Sequence, residues 1–268
     1  MPARLDPRQT LARPDLADQR LDGVVAAAAY RATVAHQCVT RVAAMRAAPD
    51  AASEQTNQLL FGEAFDVLDS GDGWAWGQSR RDGYVGWVQL AALAGEVLIP
   101  THRVSAVRGA ASDLGALPLN ALVTIETTDD GQVRAARAGA VAAADLADLS
   151  LFDAEPIAVA ERFMGTHYVW GGRVAEGLDC SGLVQQALYA CGRGSRRDAD
   201  QQADEVGAPI RATDLRRGDL VFWPEHVGLM LDETRLLHAN GHHMAVTADP
   251  LAEVVTRIGR EPTAYRRP

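Results

Sequence analysis

The segment Gly177-Leu178-Asp179-Cys180-Ser181-Gly182 constrains this chain more than any other, because it puts a thiol at a strand-to-helix junction. It opens CSGLVQQALYACG, in which Leu183, Val184, Ala187 and Leu188 recur at helical spacing, Asp179 is a good N-cap and Gly192 closes the far end. A thiol in the first turn of a helix feels the positive end of the macrodipole and free backbone N–H groups, which favour thiolate over thiol. Cys180 is therefore a candidate nucleophile. Most free cysteines are simply small buried hydrophobes, so the assignment needs partners.

The partners lie downstream. Arg217 to Leu231 reads as two apolar strand-like runs joined by a turn, with His226 at the start of the second run. A third short strand, Arg235-Leu236-Leu237-His238-Ala239, follows, so His226 and His238 can sit on neighbouring antiparallel strands with their rings side by side. A helix-borne Cys, a strand-borne His and a second polar residue orienting that His form the generalised nucleophile, base and orienter set.

Composition narrows the partners. A formal net charge of −9 over 268 residues argues against nucleic acid, or any anionic polymer, bound by general electrostatics. A small soluble substrate fits better. The three cysteines, Cys38, Cys180 and Cys191, make no disulfide framework and suit a reducing compartment, and no CxxC or His-rich spacing suggests a metal site. The N-terminus is polar and no run of about 18 apolar residues follows it, so the expected location is cytoplasmic, with no membrane partner.

Upstream, Gly62 to Gly73 and Asn120 to Gly131 share alternating apolar positions followed by an acidic, Gly-containing hairpin turn. Repeats of short strands and tight turns at this size suggest two small β-barrels. The first keeps Trp74, Trp76, Tyr84 and Trp87. The tryptophans read as core and Tyr84, which follows Gly83 at a turn, reads as exposed. Residues 1–33 read as a leader with a short helix from Leu16 to Tyr30, whose Val24, Val25 and Ala-rich run can pack on a barrel.

The C-terminal pattern resembles the NlpC family of papain-like bacterial cell-wall peptidases. The residues that carry the resemblance are Tyr168-Val169-Trp170-Gly171-Gly172, Asp179-Cys180-Ser181-Gly182, Gly218-Asp219-Leu220, His226-Val227-Gly228 and His238. Both upstream segments resemble bacterial SH3-like domains, the first ending in Asp82-Gly83-Tyr84-Val85-Gly86-Trp87-Val88. The implied fold is α+β, a papain-like domain with its Cys helix packed on an antiparallel sheet, preceded by two SH3-like barrels. The boundaries expected are 1–33 for the leader, 34–97 and 98–152 for the barrels, and 153–268 for the peptidase domain, whose first helix should span Ile157 to Met164.

The resemblance implies a cysteine endopeptidase that needs no cofactor and cuts the γ-D-Glu–diamino acid bond of small murein peptides with a free N-terminal L-Ala, during cell-wall peptide recycling. Cys180 attacks, His226 moves protons and His238 fixes the tautomer of His226. Asp179 and Ser181 would hold the substrate ammonium, with helix capping as the alternative role for Asp179. Tyr84 matches a tyrosine that relatives with this domain order bring to the substrate pocket, and Tyr168 could donate its hydroxyl near the developing oxyanion. Ala199 stands where relatives often have a serine, and an acidic residue that some relatives take from the first barrel has two candidates, Glu54 and Glu63. Other Cys/His amidases or acyltransferases of the same fold, or a degenerate peptide-binding protein, are the rival readings.

Overall fold

The computed structural model describes residues 5–129 and 132–268; Met1–Arg4, at the head of the expected leader, and Asp130 and Gly131, in the expected second hairpin turn, lie outside the described residues. The chain forms two compact units, one over 1–104 and 109–146 and one over 105–108 and 147–268.

In the first unit, a seven-stranded antiparallel sheet runs in the order Gln55–Leu60, Val42–Arg46, Val85–Gln89, Trp74–Ser79, Ala64–Gly71, Val34–Cys38, Leu93–Ala94. Its core gathers Met45, Leu59, Phe65, Ala75, Tyr84 and Val88. The hairpin from Ala64–Gly71 into Trp74–Ser79 turns on Asp72 and Gly73, both at positive φ (51° and 82°). That is the turn its acidic, Gly-containing sequence calls for. The rest of the unit pairs Leu122–Val123 with His102–Val104 and holds a sheet that includes Ile125–Asp129, Gln132–Ala135 and Gly139–Ala142. Val104, Leu117, Val123 and Val141 form its core.

The leader corrects the sequence reading, for no α-helix spans Leu16 to Tyr30. Ala17–Asp18 pairs in parallel with Tyr30–Arg31, a single 3₁₀ turn covers Gln19–Leu21, and Gly23 takes φ 76°. The Tyr30 hydroxyl donates to the Val25 carbonyl at 2.6 Å and closes the Ala-rich run as a loop. Val24 is exposed, whereas Leu11 and Leu16 are buried with Leu68 and Trp76. Burying two leucines is worth roughly 1.5–3 kcal/mol each, more than the helix propensity of a few alanines.

In the second unit, a six-stranded antiparallel sheet runs Ala208–Pro209, Ala264–Arg267, Leu220–Trp223, His226–Met230, Arg235–Asn240, Ala245–Pro250. Helix Cys180–Ala190 packs on the two strands that carry His226 and His238, and also on helix Pro156–Glu161. Helix Leu251–Ile258 joins a separate apolar cluster through Val254, Val255 and Ile258, which meet Val221, Trp223, Met230 and Leu236. With apolar partners for both sets of strand residues, Leu220–Trp223 is buried at every position. The helix expected over Ile157 to Met164 is Pro156–Glu161, with Pro156 in its first turn.

Candidate active site

Cys180, the candidate nucleophile, is held by a tightly closed cluster. Cys180 is the first residue of an eleven-residue helix in which every side chain is buried. The N-cap Asp179 accepts from Gly182 N at 2.7 Å and from Gly171 N at 2.8 Å. A Cβ on Gly182 would stand 2.2 Å from the Gly172 carbonyl oxygen, so the first helical turn packs directly on the Gly171-Gly172 backbone. The two glycine-bearing motifs are thus one structural device.

Arg197, which sequence reasoning passed over, completes this cluster. Its guanidinium donates to Asp179 Oδ1 at 2.9 Å, to Asp179 Oδ2 at 2.6 Å and to Ser181 Oγ at 2.8 Å, with its side chain 1% exposed. Ser181 Oγ lies 3.3 Å from Asp179 Oδ1. A carboxylate offers about four lone-pair sites, and these are already engaged by backbone and Arg197. Asp179 and Ser181, the residues expected to hold a substrate ammonium, are both buried and bound to Arg197. The only sequence signal was a basic residue in Arg197-Asp198-Ala199, and its partner is remote along the chain.

On the sheet side, the hairpin turn Pro224-Glu225 aims the site. Trp223 pairs with His226 across it, and Glu225 is held at φ 64°, the order of a type II turn with Pro first and a left-handed residue second. This non-glycine residue stores strain next to the chemistry. The turn directs the Glu225 carbonyl at Cys180 Sγ, 3.8 Å away, and the Val227 N–H also reaches the sulfur. His226 lies between these two. Its ring packs on Trp223 with centroids 5.8 Å apart, and its Nε2 is 2.8 Å from His238 Nδ1.

The line continues past the expected residues. His238 is 1% exposed, and its Nε2 lies 3.2 Å from Asp249 Oδ2, which also accepts from Arg257 Nη2 at 2.7 Å and has His243 Nε2 3.2 Å away. Asp249 faces Leu236 in register, and so sits diagonally from His238 on the neighbouring strand. A cavity of about 330 Å³ borders this end, lined by residues including Trp223, Glu225, His226, His238 and Arg257.

Burial works against the thiolate expectation. Burial pushes the Cys180 thiol up to about 12, with the Asp179 charge adding to it, against the smaller opposite effects of the Val227 N–H, Arg197 and the Ser181 N–H. Burial likewise lowers His226 to about 3, with His238 and Arg257 contributing, and lowers His238 despite the opposing pull of Asp249. Both shifts favour a neutral thiol and a neutral imidazole.

Tyr168 stands half-buried beside this pair. Burial, and then the charges of Cys180 and Asp179, raise its hydroxyl above the usual tyrosine range, so it stays a donor. Tyr84 corrects the sequence reading of exposure: it is 5% exposed in the first sheet's core with Met45, Leu59 and Phe65. Of the two acidic candidates, Glu63 is fully buried, accepting from Leu60 N at 3.0 Å and pairing with Arg81 at 3.2 Å. Trp76 is 5% exposed in the cluster with Leu11 and Leu16, and Arg13 lies over its ring at 4.2 Å.

Residues 165–257 match the NlpC/P60 family and residues 45–93 match the bacterial dipeptidyl-peptidase SH3 domain, so the chain carries an NlpC/P60 domain behind a bacterial SH3 domain. It is similar to "Gamma-D-glutamyl-L-lysine dipeptidyl-peptidase" of Bacillus subtilis, 32% identical over 113 residues covering 39% of this chain and 37% of that protein. It is also similar to "Dipeptidyl-peptidase 6" of Lysinibacillus sphaericus, 33% identical over 36% of this chain and 40% of that protein. The matches thus span about two fifths of these relatives. The solved structure of an NlpC/P60 family protein from Bacillus cereus shares the fold, with a TM-score of 0.75 at 17% identity over 87% of this chain and 99% of that one.

Proposed function

We propose that this protein is a cysteine endopeptidase that hydrolyses the γ-D-glutamyl–diamino acid bond of small L-Ala-γ-D-Glu-diamino acid peptides. The observation that carries the reading is that Cys180 Sγ meets the Glu225 carbonyl and the Val227 N–H, the backbone on either side of His226, while the His226 ring is bound to His238. The name of the Bacillus subtilis relative supports the bond, and the name of the Lysinibacillus sphaericus relative and the dipeptidyl-peptidase SH3 match support the removal of dipeptides.

In this mechanism His226 takes the Cys180 proton as sulfur attacks the γ-carbonyl carbon, and the carbonyl π pair moves to oxygen. The backbone N–H at the helix start and the Tyr168 hydroxyl stabilise that oxyanion. His226 then gives its proton to the departing amine, the C–N bond breaks and a thioester remains. Water, deprotonated by His226, releases L-Ala-γ-D-Glu and restores the thiol. We read residues 34–97 and 98–152 as two SH3-like domains ahead of a catalytic domain over 153–268, and soluble murein peptides in the cytoplasm as the substrate pool.

The test is digestion of L-Ala-γ-D-Glu-meso-diaminopimelate beside its N-acetylated form, with products identified by mass. The expected result is L-Ala-γ-D-Glu and free diaminopimelate from the first, and a specificity constant roughly 100-fold lower for the second. Equal rates on both would make the enzyme indifferent to the amino terminus, and no cleavage of either would remove the peptidase reading.

A further inference from the structure

Beyond the Cys and His set lies a buried carboxylate that this mechanism has not used. Two hydrogen bonds converge on one oxygen of Asp249, from Arg257 Nη2 at 2.7 Å and His238 Nε2 at 3.2 Å, and His243 Nε2 lies 3.2 Å from the same oxygen. Asp249 comes from strand Ala245–Pro250, His243 from the loop before it, Arg257 from helix Leu251–Ile258 and His238 from strand Arg235–Asn240. The carboxylate side chain is 12% exposed and His238 is 1% exposed, so this junction is largely shielded from water.

We propose that Asp249, with its charge held by Arg257, is the positioning residue that fixes the tautomers of both His238 and His226. An ionised carboxylate can only accept, so the proton on His238 must sit on Nε2. In a neutral ring His238 Nδ1 is then a lone pair, and across 2.8 Å it accepts from His226 Nε2–H. His226 is left with a bare Nδ1. That nitrogen is the base that receives the thiol proton, an assignment that rests on the peptidase reading; the tautomers themselves do not. When His226 becomes an imidazolium, the same carboxylate lies at the end of the line and stabilises the charge through His238.

The ring tautomers can be read without substrate, by NMR of ¹⁵N-histidine-labelled protein near pH 7. In the wild type both His238 and His226 are expected to carry hydrogen on Nε2. Asp249→Asn keeps this pattern, since an amide oxygen can occupy the position on which the donors converge, while Asp249→Ala loses the single tautomer at both rings. On the tripeptide, Asp249→Ala should lower kcat roughly 10- to 100-fold with KM within about twofold. The acid limb of the kcat profile should move to lower pH in both variants, because the removed charge had favoured the protonated rings. A wild-type His226 carrying hydrogen on Nδ1 overturns the proposal, as does an Asp249→Ala protein with unchanged tautomers and an unshifted limb. If Asp249→Ala does not fold, Asp249→Asn decides by its acid limb, a shift supporting the assignment and no shift overturning it. If no peptide is turned over, the peptidase reading fails and the wild-type tautomers alone decide this one.

Discussion

The two ends of the site each hold a buried ion pair, yet they close differently. At the nucleophile end, Asp179 and Arg197 are 7% and 1% exposed and are bound into the backbone of Gly171, Gly172 and Gly182. At the histidine end, Asp249 and Arg257 are 12% and 26% exposed, and the line from them runs through His238 to a part-exposed His226 at the rim of a cavity. The first arrangement fixes where a helix begins. The second leaves a path along which a proton can move, and the difference separates scaffold from chemistry within one small domain.

Substitutions should separate the two ends in kind as well as in size. Cys180→Ala and His226→Asn should each cost on the order of 10⁴-fold in kcat/KM with little change in Tm, measured on the tripeptide and by thermal unfolding. Arg197→Met acts the other way: it strands the Asp179 charge inside the protein and should cost about 3–5 kcal/mol in urea unfolding. Arg257→Met, at the more open pair, should cost about 1 kcal/mol. Equal losses for the two arginines would erase the contrast.

His238→Gln should fall between these extremes in activity, roughly 10- to 100-fold down, because an amide can still accept from one imidazole nitrogen. Acid should weaken the fold through the same rings. Both His226 and His238 are held below their ordinary value, so as pH falls from about 6.5 the unfolded chain gains protons that the native rings refuse, and stability drops. His226→Gln with His238→Gln should flatten that part of the stability curve. The smallest effect concerns labelling. With Cys180 buried and raised to about 12, iodoacetamide should reach the partly exposed Cys191 first at neutral pH, whereas a preformed thiolate at Cys180 would react ahead of it.

Much of this geometry could be read from residue order, because it is local. Helix spacing after Asp179-Cys180 and three short strands carrying His226 and His238 define a helix start and a register, and strand pairing brings the two rings together. What could not be read depends on distant partners. Arg197 meets Asp179 only when the helix start and the following loop are folded together, and Asp249 reaches His238 only through the pairing of the last two strands of the hairpin. Burial opposes the thiolate expectation for a related reason, since a helix N-terminus is visible in sequence and the depth of burial is not. The Ala-rich leader shows propensity losing to tertiary burial, and Tyr84 shows a turn-flanking aromatic drawn into a core.

The account depends most on covalent attack by Cys180 with His226 as its base. Rapid acid quench of the protein with L-Ala-γ-D-Glu-meso-diaminopimelate, followed by peptide mapping, tests it directly. The expected result is an L-Ala-γ-D-Glu acyl group on the peptide bearing Cys180, longer-lived in His226→Asn protein if any forms there, and absent from Cys180→Ala. Turnover that survives in Cys180→Ala, or an acyl group found on Cys191 or Cys38 instead, would contradict the account.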